Sequence, residues 1–176
     1  MRKKIFLTMI LIISILFFCT GCAKLPVPEV TKGSFDFSVT YEVDGTEKTY
    51  AGVYVCEYEG IYVTFVGKGR RWSGYVENLD HCILTVKEKG NVVIHIDFDL
   101  NPKYFMADPD YYDEKPTPIV YGEEINHETG ETFIFSDAEE IYTNYGVRIV
   151  SYNYSDPIEN NYKDKFTFGK FEPSIN

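Results

Sequence analysis

Two of the four arginines in this sequence, and its only tryptophan, fall within nine residues: Gly67-Lys68-Gly69-Arg70-Arg71-Trp72-Ser73-Gly74-Tyr75. Arginine and tryptophan are the residue types that dominate binding hot spots. A planar guanidinium grips a carboxylate or phosphate, and an aromatic face stacks on a sugar or a peptide. Arg70, Arg71, Trp72 and Tyr75 are therefore the candidate ligand-binding residues. The same residues also fit a plainer role, with Trp72 in the core and the arginines offsetting neighbouring acids.

Cys56 and Cys82 are the second candidate pair. In an exported protein they could oxidise, closing a loop of about 25 residues and adding roughly 3 kcal/mol on the chain-entropy model. Alternatively Cys82, which alternates with Leu84 and Val86, packs as a small buried hydrophobe. No histidine can be set beside either thiol from sequence, so cysteine nucleophile chemistry is not expected. Asp97-Phe98-Asp99-Leu100-Asn101 has the oxygen spacing that opens a calcium loop, with Asp108 in twelfth place. Pro102 then occupies the position that needs glycine, and a strand pattern rather than a helix precedes it. His81, His95 and His127 lie on separate segments without zinc-site spacing. The chain also lacks a G-x-S-x-G elbow, a P-loop and a dinucleotide turn. No catalytic residue, metal ligand or cofactor is assigned from these patterns.

The elements that must position these residues begin with an address. Arg2-Lys3-Lys4 precedes a 14-residue apolar run, Ile5 to Phe18, too short to cross a hydrocarbon core of ~30 Å as a helix. It reads as the hydrophobic region of a signal peptide. The run ends in Cys19-Thr20-Gly21-Cys22, which resembles the bacterial lipobox, with Cys19 where that pattern usually has leucine. The resemblance implies a lipoprotein precursor: a signal peptide over residues 1–21, cleavage before Cys22, and a palmitate-type lipid anchor on Cys22. Two acyl chains make membrane residence stable where one is marginal. It also implies location at the cell membrane, on the extracytoplasmic face. Residues 22–33, with Pro26 and Pro28 and no usable period, read as a stiff tether.

Removing 21 residues leaves 155, within the range of one domain, here residues 34–176. The remainder carries 14 basic against 27 acidic residues, a net charge of −13. So acidic a surface excludes nucleic acid as a partner and repels anionic lipid, leaving the lipid as the expected membrane contact.

From Phe35 the pattern has period two, with Phe35, Phe37, Val39, Tyr41 and Val43 on one face and Asp36, Ser38, Thr40 and Glu42 on the other. Asp44-Gly45 marks a turn into a strand over 49–58, and further strands are expected at 61–66, 72–76 and 82–87. Val92 to Leu100 completes a clear second hairpin, a long loop covers 101–117, and strands return at 119–125, 132–135, 147–154 and 165–171. One helix is expected, with Ser136 as N-cap, Glu139 completing a capping box, and Gly146 closing it. The expected fold is all-β: about nine mainly antiparallel strands, in a β-sandwich or a partly open barrel, with one short helix.

The expected function is a lipid-anchored extracytoplasmic binding or interaction module, meeting an envelope ligand or protein. Two alternatives stand: an envelope carbohydrate or peptide hydrolase using a carboxylate pair, and a structural component of an envelope complex. Beyond the leader, the body resembles the small uncharacterised envelope lipoproteins of bacteria, a resemblance that implies no mechanism.

Overall fold

The computed structural model describes residues 25–65, 67–111 and 114–163. Cys22, the leader and the strand expected at 165–171 lie outside the described residues. The chain divides into two units, one of which comprises residues 28–161. In the other, the described residues are 25–27 and 162–163. The strands β1 (Val27–Pro28) and β10 (Tyr162–Lys163) pair as a two-stranded sheet.

The larger unit is built from two four-stranded sheets, as the all-β expectation requires. The first has the order β4 (Gly67–Val76), β3 (Thr46–Thr64), β2 (Lys32–Val43), β9 (Val147–Tyr154). The second has the order β5 (Ile83–Lys89), β6 (Val92–Asp97), β7 (Ile119–Ile125), β8 (Thr132–Phe135). Strand pairing within both is antiparallel. Val43 and Ile149 of the first sheet pack against a buried cluster of Val92, Ile94, Val120, Ile141 and Val147, so the two sheets share a core.

Local chemistry explains the elements. Asp44 and Gly45 both take positive φ, 51° and 78°, as a two-residue hairpin turn that matches strand twist demands. The strands expected at 49–58 and 61–66 are one long strand, β3. It is interrupted only by a register shift between Tyr58 and Gly60, a bulge at which Gly60 adopts φ 114°. Lys32 and Gly33, assigned to the tether by composition, are the first residues of β2. Glu42 follows the solvent-facing pattern of β2, yet it is buried. Arg148 donates from Nε and Nη2 to its Oε2 at 3.0 and 2.6 Å, and the Tyr142 hydroxyl donates to its Oε1 at 3.3 Å.

Among the described residues two α-helices occur where one was expected. The first, α1 (Pro102–Phe105), is a single turn capped by Asn101, whose side-chain oxygen accepts from the Lys103 N–H at 3.1 Å. Asn followed by Pro at the first helical position is a start signal, but four residues are too few to show a helical period. The segment read as a long loop is therefore pinned: Phe105 and Met106 within it are fully buried, as are Phe98 and Leu100 just before it. The second helix, α2 (Ala138–Tyr145), is capped by Asp137 and not by Ser136, its carboxylate accepting from the Glu140 N–H at 2.8 Å. Ser136 and Glu139 satisfy the same spacing one residue earlier. Asp137 wins with a capping geometry that also sets its charge at the positive end of the helix. Gly146 ends α2 at φ 66°, as expected.

Candidate ligand cleft

Strand alternation divides the arginine and tryptophan cluster. On β4, Arg70 and Trp72 share the inward face with Gly74 and Val76, while Arg71 and Tyr75 point outward. Arg70 is 2% exposed and donates from Nε and Nη2 to both oxygens of Asp108 at 2.9 to 3.1 Å, with a further pair to Asp110 at 2.7 Å. The Trp72 indole N–H donates to Asp108 Oδ2 at 2.7 Å, and the Asp110 N–H donates to Oδ1 at 2.8 Å. Arg70 and Trp72 are thus tied into the structure by the acid that sequence spacing had placed twelfth in a calcium loop. Asp108, with both oxygens taken, is not a free ligand for a cation near Asp97. Arg71 lies over the Tyr62 ring at 6.0 Å, on the opposite face from Arg70. Of the four candidates, Trp72 and Tyr75 border a cavity. The inward placement of Arg70 was legible from the alternation counted back from Val76, whereas Asp108, 38 residues on, left no signal.

That cavity is a cleft of about 750 Å³ between the end of β4 and the turn that leaves β6. One wall is Ser73, Gly74 and Tyr75 of β4. The opposite wall is Asp97, the last residue of β6, with Asp99 and Asn101 beyond it. The Asp99 N–H donates to Asp97 Oδ1 at 2.8 Å, a local turn that ties the Asp97 carboxylate to the Asp99 backbone. Burial raises the Asp97 carboxyl above the usual carboxylate range, and the Asp99 charge adds to this while the Asp99 N–H opposes it.

His81 and Cys82 close the third side. They form the end of a 3-10 turn (Asp80–Cys82) and both hold left-handed backbone, φ 48° and 61°, a conformation that costs a residue with a side chain on the order of 1 kcal/mol. The Cys82 carbonyl accepts from the Phe98 N–H at 3.0 Å, and the Cys82 thiol faces the Gly74 carbonyl at 3.8 Å. Gly74 is also the cross-strand partner of Cys56. The two cysteines therefore approach the same residue, and in the structure both are buried, unbridged thiols. Burial pushes the Cys56 thiol up to about 12 and raises that of Cys82, so neither is a thiolate at neutral pH.

Beneath the Gly74 wall lies the feature that sequence could not show. Tyr54 of β3 is 0% exposed, and its hydroxyl is the one buried side-chain polar atom without a hydrogen-bond partner among the described residues. A Cβ at Gly74 would stand 1.9 Å from that oxygen, so only a glycine there leaves room for the buried hydroxyl. Burial is the main cause that raises the Tyr54 phenol, and Cys56, Asp99, Cys82 and Asp97 add to it, three of them cleft-lining groups.

The histidines do not converge. His81 borders the cleft, where its ring lies 3.5 Å from Asp80. His95 shares a hydrogen bond of 3.1 Å with the Thr85 hydroxyl and stacks on Tyr121, and His127 lies on the distant turn after β7. Among the described residues no group of three or more His, Cys, Asp or Glu side chains is placed to hold a metal ion. No protein-family model, curated protein or solved structure matches the chain.

Proposed function

We propose that this chain is a lipid-anchored module of the extracytoplasmic face and that it binds its ligand in the cleft between β4 and the β6 turn. The lipobox-like leader supports the location, with Cys22 as the lipid-bearing residue and the bilayer and an envelope ligand or protein as the partners. The observation that carries the binding reading is the convergence of polar side chains from three elements, Ser73, Asn101 and the Asp97 and Asp99 pair, on one cleft of ligand size. Two protonated thiols add no nucleophile.

The test is a titration of the lipidated protein, extracted in detergent, against soluble fragments of the bacterial envelope, with heat of binding as the readout. Binding that is lost on Asp99→Trp, a bulky side chain at an exposed position of the wall, supports the cleft; binding that survives it refutes the assignment. A hydrolase remains the second reading, favoured by one observation: Asp97, raised by burial, stands beside Asp99, a pairing that suits a general acid and a second carboxylate. Mass spectrometry of the same fragments after incubation separates the two. New products that vanish with both Asp97→Asn and Asp99→Asn replace the binding reading, and unchanged fragments retain it.

A further inference from the structure

We propose that the hairpin arm joining β3 to β4 docks on the anionic bilayer that holds the lipid, with Ile61, Val63 and Phe65 meeting the apolar layer and Lys68 and Arg71 the headgroups. This rests on the reading of Cys22 as the lipid-bearing residue.

The arm is a defined piece of structure. Past Tyr58, whose N–H donates to the Thr31 carbonyl at 2.8 Å, β4 is the only sheet neighbour of β3 among the described residues. Six further residues carry the strand to Thr64, roughly 20 Å at ~3.3 Å each. The base is braced. Arg70, cross-strand partner of Ile61, is held by Asp108, and the Trp72 ring meets Tyr58 edge-on at 5.1 Å. Along the arm Tyr62 lies across Gly69, where a Cβ would collide with its ring, and Arg71 stands over that ring. The alternate residues are apolar and exposed: Ile61, Val63 at 71% and Phe65 completely. Exposed apolar residues grouped in this way mark a contact surface.

Charge chooses the occupant. The net charge of the whole chain predicts repulsion from anionic lipid, but the charge is unevenly spread. Residues 60–76 hold Lys68, Arg70 and Arg71 and not one of the 27 acids, which resume at Glu77. Lys68 and Arg71 are exposed, so the arm offers cations beside apolar side chains, the pairing that an anionic membrane surface takes up. A second copy of this acidic chain would bring its own repulsion.

Placement agrees. β2 begins at Lys32, opposite Glu57, so the arm leaves the sheet at the end where the tether enters it. Nine residues of chain separate Cys22 from Thr31, a reach of at most about 30 Å. The bilayer therefore stays within about one arm's length of that end of the sheet.

Tryptophan emission of the full-chain lipidated protein, reconstituted into vesicles, tests this. The vesicles hold phosphatidylcholine and phosphatidylglycerol in equal parts, with brominated acyl chains as the quencher. Phe65→Trp puts a reporter at the tip, Lys48→Trp puts one near the opposite end of β3, and wild type, with its sole and buried Trp72, gives the background. The expected result is a blue shift and quenching for Phe65→Trp and neither for Lys48→Trp. Adding Lys68→Gln or Arg71→Gln to the tip reporter should each lower the docked-to-undocked ratio about fivefold, the value of one cation near an anionic surface, with unchanged thermal melts. An unquenched tip reporter overturns the proposal. So does equal quenching of both reporters, and so does a blue shift without quenching that grows with protein density, the mark of a second copy covering the tip. Quenching that is equal in phosphatidylcholine alone and indifferent to Lys68→Gln and Arg71→Gln overturns the anionic surface as the partner. Should intact mass show no lipid, the anchor reading falls by itself, and the same emission, followed as vesicles are added to the unlipidated chain, decides the arm.

Discussion

Replacing Asp108 with Asn should be among the most damaging single substitutions in the protein. Its carboxylate accepts from Arg70, from the Trp72 indole and from the Asp110 N–H, all at 2.7 to 3.1 Å, and it is 3% exposed. The amide leaves a guanidinium that is itself 2% exposed without its main counter-charge. Removing one partner of a buried pair costs about 3–5 kcal/mol. Asp110, 2.7 Å from Arg70 and partly exposed, remains as a weaker partner, which places the expected loss near the lower end, about 3 kcal/mol. For a domain of this size that is a drop in melting temperature of roughly 6–12 °C. Thermal and urea unfolding followed by circular dichroism measure it, with the emission of Trp72, the sole tryptophan, as a probe inside the network. The double variant Arg70→Met with Asp108→Leu should recover part of the loss, because apolar replacement of a buried pair is often neutral or better, although the Trp72 N–H stays unpaired. A double variant no more stable than Asp108→Asn would refute the attribution to an uncompensated charge. The pH dependence has a definite sign. Burial acts to raise the Asp108 carboxyl, but the hydrogen bonds from Arg70, the Asp110 N–H and Trp72, with the Arg70 charge, hold it below the ordinary range. Its folded value is thus the lower one. Its contribution is complete above the unfolded value near ~3.9 and is lost as pH falls through the folded value, so wild type should lose more stability there than Asp108→Asn does.

Cys22→Ala should move the protein from the membrane to the soluble fraction and remove a lipid-sized mass, read by fractionation and intact-mass analysis; an unmodified soluble product in both forms would remove the anchor from the reading. Asp137→Ala should cost about 1 kcal/mol by urea unfolding, while Ser136→Ala should stay within about 0.5 kcal/mol, and the reverse order would restore Ser136 as the cap. Cys56 and Cys82 should resist alkylation at neutral pH in the folded protein, and both should react once it is unfolded; a count of zero thiols would establish a bridge instead.

Patterns that repeat along the chain were legible, and contacts between distant segments were not. The alternation of Phe35, Phe37 and Val39 and the Asp44-Gly45 turn declare β2 and its hairpin because each is a statement about neighbouring residues. The α2 cap was off by one residue because Ser136 and Asp137 carry the same signal. Asp97 and Asp99 stood out as paired oxygen donors, and they do line the cleft, but the third acid of that pattern, Asp108, faces Arg70 instead. Nothing near Tyr54 in the sequence marks its hydroxyl as buried without a partner. The fit of that hydroxyl depends on the absence of a side chain 20 residues later, at Gly74, on the adjacent strand. Glu42 is the converse case, an acid on a solvent-facing pattern that two residues of a later helix and strand enclose.

The long strand β3 changes partners along its length. Residues 46–57 pair with β2 and residues 54–64 with β4, so only residues 54–57 are flanked on both sides. Amide hydrogens open to solvent only when the surrounding ladder opens, and a strand held on both edges opens last. The slowest-exchanging amides should therefore cluster at this four-residue overlap, where Tyr54, Val55 and Cys56 are all at most 1% exposed. Exchange should quicken toward the Asp44-Gly45 turn at one end and past the Gly60 bulge at the other. The strand would then behave as a splice, firm at its overlap, with two arms that breathe independently, and Tyr54 sits on the firm part.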